Sequence, residues 1–278
     1  MSLWIIECLA QKVCVEFSND IQVNKLFGAL FFDFQLTEAE VAEGVLLQVN
    51  QNAEGWELID TKLEQSRQIQ TKGDLVYFLS DKIIYHLIDR ITIGHCIHAA
   101  CVAKGEQAFV LPATSGSGKS SLSCWLVANG FEYISDELTI FLPSGKVSAI
   151  SRPIQIKHHG IEVIKPLLQD QTAFLEGQYA NAISAQALGG RSSLLKEWEL
   201  GAFIFPNYQA EATFSYQTIK SAEVALQLMG THVNARNVDS HGFRFMTELA
   251  RRAEAFNLEY GGFDYLPRGF SSVIVENA

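Results

Sequence analysis

The stretch Ala113-Thr114-Ser115-Gly116-Ser117-Gly118-Lys119-Ser120 decides how the rest of this chain is read. It follows the pattern G-x-x-x-x-G-K-[ST], with Ala113 in place of the first glycine. The layout has a physical basis: successive backbone N–H groups must turn inward to make an anion nest, which small residues and glycines allow. A helix that starts at the lysine adds the positive end of its dipole. Both flanks are present in the right order. Gln107–Leu111 reads as an apolar strand, and Lys119 to Asn129 as a helix with Leu122, Leu126 and Val127 inward. Gly130 then falls at the position after the cap that favours positive φ. Ser115, Gly116, Ser117, Gly118, Lys119, Ser120 and Ser121 are therefore expected to hold nucleotide phosphates. Lys119 would reach the β- and γ-phosphate oxygens, and the Ser120 hydroxyl would be a ligand for Mg²⁺.

Moving outward, Asp136-Glu137 lies 17 and 18 residues beyond Lys119, an interval that one helix and one short strand fill. The strand Phe131–Ile134 would bring the pair to the phosphates, and Thr139–Leu142 would continue as β before the turn Pro143-Ser144-Gly145. Two adjacent acids there can divide the labour: one holds a metal, the other takes a proton from an attacking hydroxyl. His98, 21 residues before Lys119 on the apolar segment Cys96–Cys101, reads on its own as a core histidine or a functional one.

The chain has 278 residues, 48% of them hydrophobic and 19% charged, enough for a large core and against disorder. Its net charge of −10 supplies no basic face for nucleic acid. Five cysteines (Cys8, Cys14, Cys96, Cys101, Cys124) form no C-x-x-C pair, so reduced, buried thiols in a cytoplasmic protein are expected. No basic n-region opens the chain, and the run Leu26–Phe32 is far shorter than the ~20 residues of a membrane span. Residues 1–90 read as a small N-terminal α+β domain and 91–278 as the phosphate-loop domain. In the first, Lys12–Phe17 and Phe27–Phe34 read as strands. Trp56, Leu58 and Ile59, then Leu75–Leu79, give an alternating stretch, and Ile83, Ile84, Leu87 and Ile88 make the apolar face of a helix over 81–90. Near the C-terminus Phe243, Met246, Leu249, Ala250 and Ala253 share a helical face. Arg152 stands within reach of a phosphate, whereas His158-His159, Arg191 and Arg236 read as solvated loop residues and the four tryptophans as packing.

His98, the glycine loop and Asp136-Glu137, at these intervals, resemble the kinase domain of HPr kinase/phosphorylase, which shares its phosphate-loop architecture with phosphoenolpyruvate carboxykinase. The resemblance implies that Asp136 is the general base, that Glu137 joins Ser120 at the metal with Asp136 beside it, and that His98 belongs to the active site. Ile154–Ile161 looks like a drifted form of that family's L-E-x-R-G-x-G-I signature, with Gln155 for the acid and Lys157 for the arginine. Val110–Ser120, Ile134–Leu138, Arg152–Lys157, Phe205-Pro206-Asn207-Tyr208 and Leu258-Glu259-Tyr260 look more like the shorter group called HprK-related kinase A, across nearly the whole chain. The implied fold is α/β, a phosphate-loop kinase domain behind a small N-terminal α+β domain. The implied activity is ATP- and Mg²⁺-dependent transfer of the γ-phosphoryl group to a serine-type hydroxyl of a protein or peptide. A small acceptor such as free serine, or a nucleotide-responsive binding protein with little turnover, are the alternatives, and a homo-oligomer is left open.

Overall fold

The computed structural model describes residues 2–18, 35–169, 174–193 and 197–277. The expected apolar runs at Leu26–Phe32 and Phe27–Phe34 lie outside the described residues. The fold is mixed α/β with several sheets.

The first sheet has six strands: β1 (Ser2–Cys8), β2 (Gln11–Ser18), β3 (Gln35–Ala39), β4 (Val45–Asn52), β5 (Gly55–Asp60) and β6 (Gln65–Ile69), in the order β3-β1-β2-β4-β5-β6. In β4 the period-2 pattern is plain: Val45, Leu47 and Val49 are buried while Leu46, Gln48 and Asn50 are half-buried. The buried face packs on helix α1 (Lys72–Ile88). This helix includes Leu75–Leu79, which the sequence offers only as part of an alternating stretch. The overriding signal is its N-terminus: Thr71 is the N-cap, and its Oγ1 accepts from the Asp74 backbone N–H at 3.1 Å. Once α1 starts there, Leu75, Leu79, Ile83 and Leu87 fall on one buried stripe. The same core takes in Cys96, Leu138, Ile140, Ile150 and Ala182 from later in the chain.

A buried ionic contact ties α1 to β5. Asp60, 1% exposed, receives His86 Nε2 at 2.7 Å, Lys82 Nζ at 3.3 Å and the Leu63 backbone N–H at 3.1 Å. Burial works to raise the Asp60 pKa, but His86, Leu63 and Lys82 together hold it below the usual carboxylate range. Asp60→Ala strips these donors of their acceptor and should cost about 2–4 kcal/mol, read as a lower urea midpoint at pH 7. The sign follows from the lowered pKa. This stabilisation is complete above the unfolded-state value of about 4 and is lost as pH falls through the folded-state value. The gap between wild type and variant should therefore close in acid.

The second sheet holds the glycine loop. It contains β7 (His95–Lys104), β8 (Gln107–Pro112), β9 (Glu132–Ser135), β10 (Leu138–Phe141) and β11 (Val147–Ile150). A three-stranded sheet intervenes, made of β12 (Ile154–Ile156), β13 (Phe174–Leu175) and β14 (Asn181–Ile183). The chain then returns as β15 (Glu199–Tyr208), β16 (Ser215–Thr218) and β17 (Glu254–Tyr260). The order is β11-β10-β7-β8-β15-β17-β16, with β9 paired to β7. Strands β8, β15 and β17 are parallel, so Pro112, Tyr208 and Tyr260 end at the same edge, where ligands of such sheets sit.

Both faces of β7 are covered. Ile97, Ala99, Cys101 and Ala103 pack toward α4 (Ser221–Gly230) and α5 (Phe243–Leu249); Ala100 and Val102 pack toward α2 (Lys119–Ala128). Helices α3 (His158–Ile164) and α6 (Phe270–Glu276) complete the α2 side. In α5, Met246 and Leu249 are buried as expected, but Phe243 is 58% exposed and Ala253 lies past the helix end. Phe243 opens the helix directly after the left-handed Gly242, where its ring stands in solvent. The five cysteines form no disulfide, and all but Cys8 are buried. Among the described residues no helix is long and apolar enough to cross a membrane.

Candidate active site

Strand β7 explains how His98 reaches the glycine loop. Side chains alternate along a strand, so His98 shares its face with Ala100 and Val102, the face on which α2 begins. Lys119 is the first residue of α2, and its Nζ donates to His98 Nε2 at 2.7 Å. That bond leaves the imidazole proton on Nδ1. On its other edge β7 pairs with β9 and β10, Cys101 opposite Ser135 and His98 opposite Leu138. Asp136 and Glu137 form the bend between these two strands. Ser135 makes the bend: its hydroxyl donates to the Ile150 carbonyl at 2.8 Å and accepts from the Leu138 N–H at 3.2 Å. One β7 register thus carries His98 and both acids to the start of α2.

Four charges meet here. Glu137 pairs with Arg152 Nη2 at 2.5 Å and lies 3.4 Å from His98 Nε2. Asp136, 1% exposed, accepts the Gln155 backbone N–H at 3.0 Å through one oxygen, while the other, Oδ1, has no partner among the described residues. Lys119 and Arg152 are 7% and 6% exposed, so two buried cations face two acids. Burial pushes the Asp136 carboxyl up, and Arg152, Lys119 and the Gln155 N–H oppose without cancelling it. Burial also acts on Glu137, but Arg152, Lys119 and His98 overcome it and hold that group below the usual range. Lys119 is lowered by burial, with Asp136 and Glu137 opposing. His98 is lowered by burial and then by the Lys119 charge, which keeps the imidazole neutral at pH 7.

These groups line one cavity of about 580 Å³, together with Ser115, Gly116, Gly118, Ser120 and Ser121. Its wall contains buried polar atoms with no partner among the described residues: Asp136 Oδ1, Arg152 Nε and both atoms of the Gln155 amide. Orphaned polar atoms in a cavity are costly in an empty protein and useful in one that binds a polar ligand. The donor set also fits Mg²⁺, whose protein ligands are usually one or two oxygens, with phosphate and water completing the shell. Ser120, Asp136 and Glu137 would supply them. Lys157, just before α3, donates to Ser115 Oγ at 2.6 Å and adds a second cation to the loop. At the ends of β15 and β17, Tyr208, Tyr260 and Phe263 form an aromatic side of the cavity, Tyr260 and Phe263 stacked 6.3 Å apart.

The glycines differ in what they demand. Gly118 caps α2 with φ +89°, and a Cβ there would lie 2.4 Å from Tyr260 Oη and 2.9 Å from Tyr208 Cβ. Gly116 has φ +94° but open space around it. Gly116→Ala should cost only the left-handed backbone penalty of about 1–2 kcal/mol. Gly118→Ala should shift the loop as well, giving the larger fall in melting temperature by calorimetry.

Of the other polar residues singled out in the sequence, Arg152 comes to the site. Arg191 pairs with Glu132 and Arg236 with Asp89, both largely exposed and away from the cavity. Trp198 is buried, Trp4 and Trp56 pack against the first core, and Trp125 stacks near Phe263 and Phe270. Sequence reasoning missed Tyr77, Asp81 and Tyr179 in the cavity wall. The i, i+4 spacing of Tyr77 and Asp81 was the available signal, and it depended on the true start of α1.

No protein-family model matches the chain, and no curated protein matches it significantly. Among solved structures, the HPr(Ser) kinase/phosphatase from Coxiella burnetii aligns over 64% of this chain and 93% of its own, at 10% sequence identity and a TM-score of 0.31.

Proposed function

We propose that this protein is an ATP-dependent kinase of the phosphate-loop type that transfers the γ-phosphoryl group to a serine-type hydroxyl. The observation that carries the reading is one cavity shared by Lys119 of the glycine loop and the buried Asp136, whose Oδ1 has no partner among the described residues. The triphosphate would lie on residues 115–121, its γ end toward Lys119 and His98 and its base toward Tyr208 and Phe263. The acceptor oxygen forms a bond to the γ-phosphorus as the bond to the β,γ-bridging oxygen breaks, and ADP leaves. The hydroxyl proton passes to Asp136, which burial makes more basic than an ordinary aspartate. Lys119 neutralises charge on the phosphates, and the neutral His98 holds its ammonium in place. Bound at Ser120 with Asp136 and Glu137, Mg²⁺ would supply Lewis-acid neutralisation of the phosphate oxygens.

The test is a transfer assay with γ-labelled ATP, Mg²⁺ and serine-bearing peptides and small alcohols. The expected result is acid-stable label on the acceptor hydroxyl with stoichiometric ADP. Nucleotide binding without transfer to any acceptor would reduce the protein to a nucleotide-responsive binder.

A further inference from the structure

Part of the cavity wall comes from the N-terminal half of the chain. Tyr77 and Asp81 stand four residues apart on α1 and so share a face. Against them lies the segment 176–180, held by the Asp74 carboxylate, which accepts the Gln178 and Tyr179 backbone N–H groups at 2.9 Å each. This places the Tyr179 ring parallel to Tyr77, 6.4 Å between centroids and 7° between planes. The wall therefore carries two tyrosine rings and one carboxylate.

The cavity is lined by three cations, Lys119, Arg152 and Lys157, and three acids, Asp81, Asp136 and Glu137. Lys119 opens the helix at the glycine loop, Lys157 is hydrogen-bonded to that loop through Ser115, and Arg152 is paired with Glu137. Among the described residues Asp81 makes no ion pair within 4.0 Å, although it lines the cavity and sits in the fields of Arg152 and Glu137. The unpartnered atoms of Asp136 and Gln155, both more than nine-tenths buried, line the same space and mark it as built for a polar ligand. A carboxylate and aromatic rings lining one cavity are the chemistry that binds an ammonium or guanidinium group.

We propose that the phosphoacceptor carries a positive charge beside its hydroxyl, held by Asp81 against the faces of Tyr77 and Tyr179. This rests on the kinase reading and adds the class of acceptor to it. The charge could belong to a small amino alcohol or amino acid, or to a lysine or arginine next to a serine in a peptide.

Paired acceptors separate these sources. The full-length protein with Mg²⁺-ATP is offered L-serine against N-acetyl-L-serine, and acetylated, amidated Ala-Ser-Lys against its norleucine counterpart. The charged member of at least one pair should show a kcat/KM about tenfold or more above its neutral partner. Preference in the first pair identifies a small acceptor, and in the second a peptide. Asp81→Asn should bring the ratio near one through loss of the charged acceptor, and Asp81→Glu should restore it. Equal use of both members, a ratio that survives Asp81→Asn, or transfer only to uncharged hydroxyls would each overturn the proposal. No transfer to any acceptor, whether or not ATP binds, would instead overturn the kinase reading beneath it.

Discussion

Lys119→Ala should weaken binding of ATP and of inorganic tripolyphosphate alike, by about 30-fold to several thousand-fold, the range for removing one partner of a buried, hydrogen-bonded charge pair. The equality of the two probes is the informative part. In the proposed binding mode Lys119 meets phosphate and not base, so tripolyphosphate should lose as much as ATP in calorimetry. Unchanged affinity for both would remove the phosphate-loop reading. The substitution also leaves Arg152 as the only buried cation facing Asp136 and Glu137 among the described residues, where wild type has two. Asp136 would then be pushed further up, since the Lys119 charge is one of the groups that oppose its rise. Lys119→Arg should not rescue. A guanidinium is broader and branched, and the ammonium sits 7% exposed against His98. Because burial lowers the Lys119 pKa, ATP affinity in wild type should begin to fall at a pH below the usual lysine value of about 10.4.

The parts of this site that are legible in the sequence are those set by local chemistry. Gly116, Gly118 and Lys119 announce themselves because left-handed backbone at a helix start leaves few residue choices, and α2 ends at the asparagine and glycine that its C-terminus requires. His98 and Asp136-Glu137 are legible as intervals, but their meeting depends on β7 pairing with β8 on one edge and with β9 and β10 on the other. No periodicity encodes that order. Asp74 shows the same limit more sharply. Its carboxylate lies in the first turn of α1, which the sequence reading did not place there, and it also anchors residues more than one hundred positions away. The stretch Leu75–Leu79 misleads because five residues fit two periods, and only the Thr71 cap selects the helix. Tyr208 and Tyr260 enter the cavity because β15 and β17 run parallel to β8, and strand direction leaves no mark in the residues themselves.

Asp136→Asn separates chemistry from binding. The amide keeps the shape of the carboxyl but accepts no proton from an incoming hydroxyl, so kcat should drop by about 10²- to 10⁴-fold, the usual contribution of a general base. Affinity for metal-free ATP should hold, because the change removes a negative charge from a site proposed to take a polyanion, and any loss in Mg²⁺-ATP affinity reports the metal contact of Asp136. Stability should move the other way from activity. Asp136 is buried with one oxygen unpartnered and its pKa is raised by that burial, so the ionised carboxylate opposes folding at neutral pH. The sign follows: a raised folded-state pKa means that wild type gains stability as pH falls through that value, while the asparagine variant carries no such dependence at this position. Asp136→Asn should therefore melt at a higher temperature than wild type at pH 7, and the difference should narrow in mild acid. The acid limb of the wild-type rate should also lie above the ordinary aspartate value of about 3.9, since the base must be ionised to act. An asparagine variant that transfers phosphate at the wild-type rate would move the base assignment elsewhere. Glu137 is the next acid in the cavity, but its carboxylate is already bound to Arg152 and held below the usual range, which makes it the poorer proton acceptor.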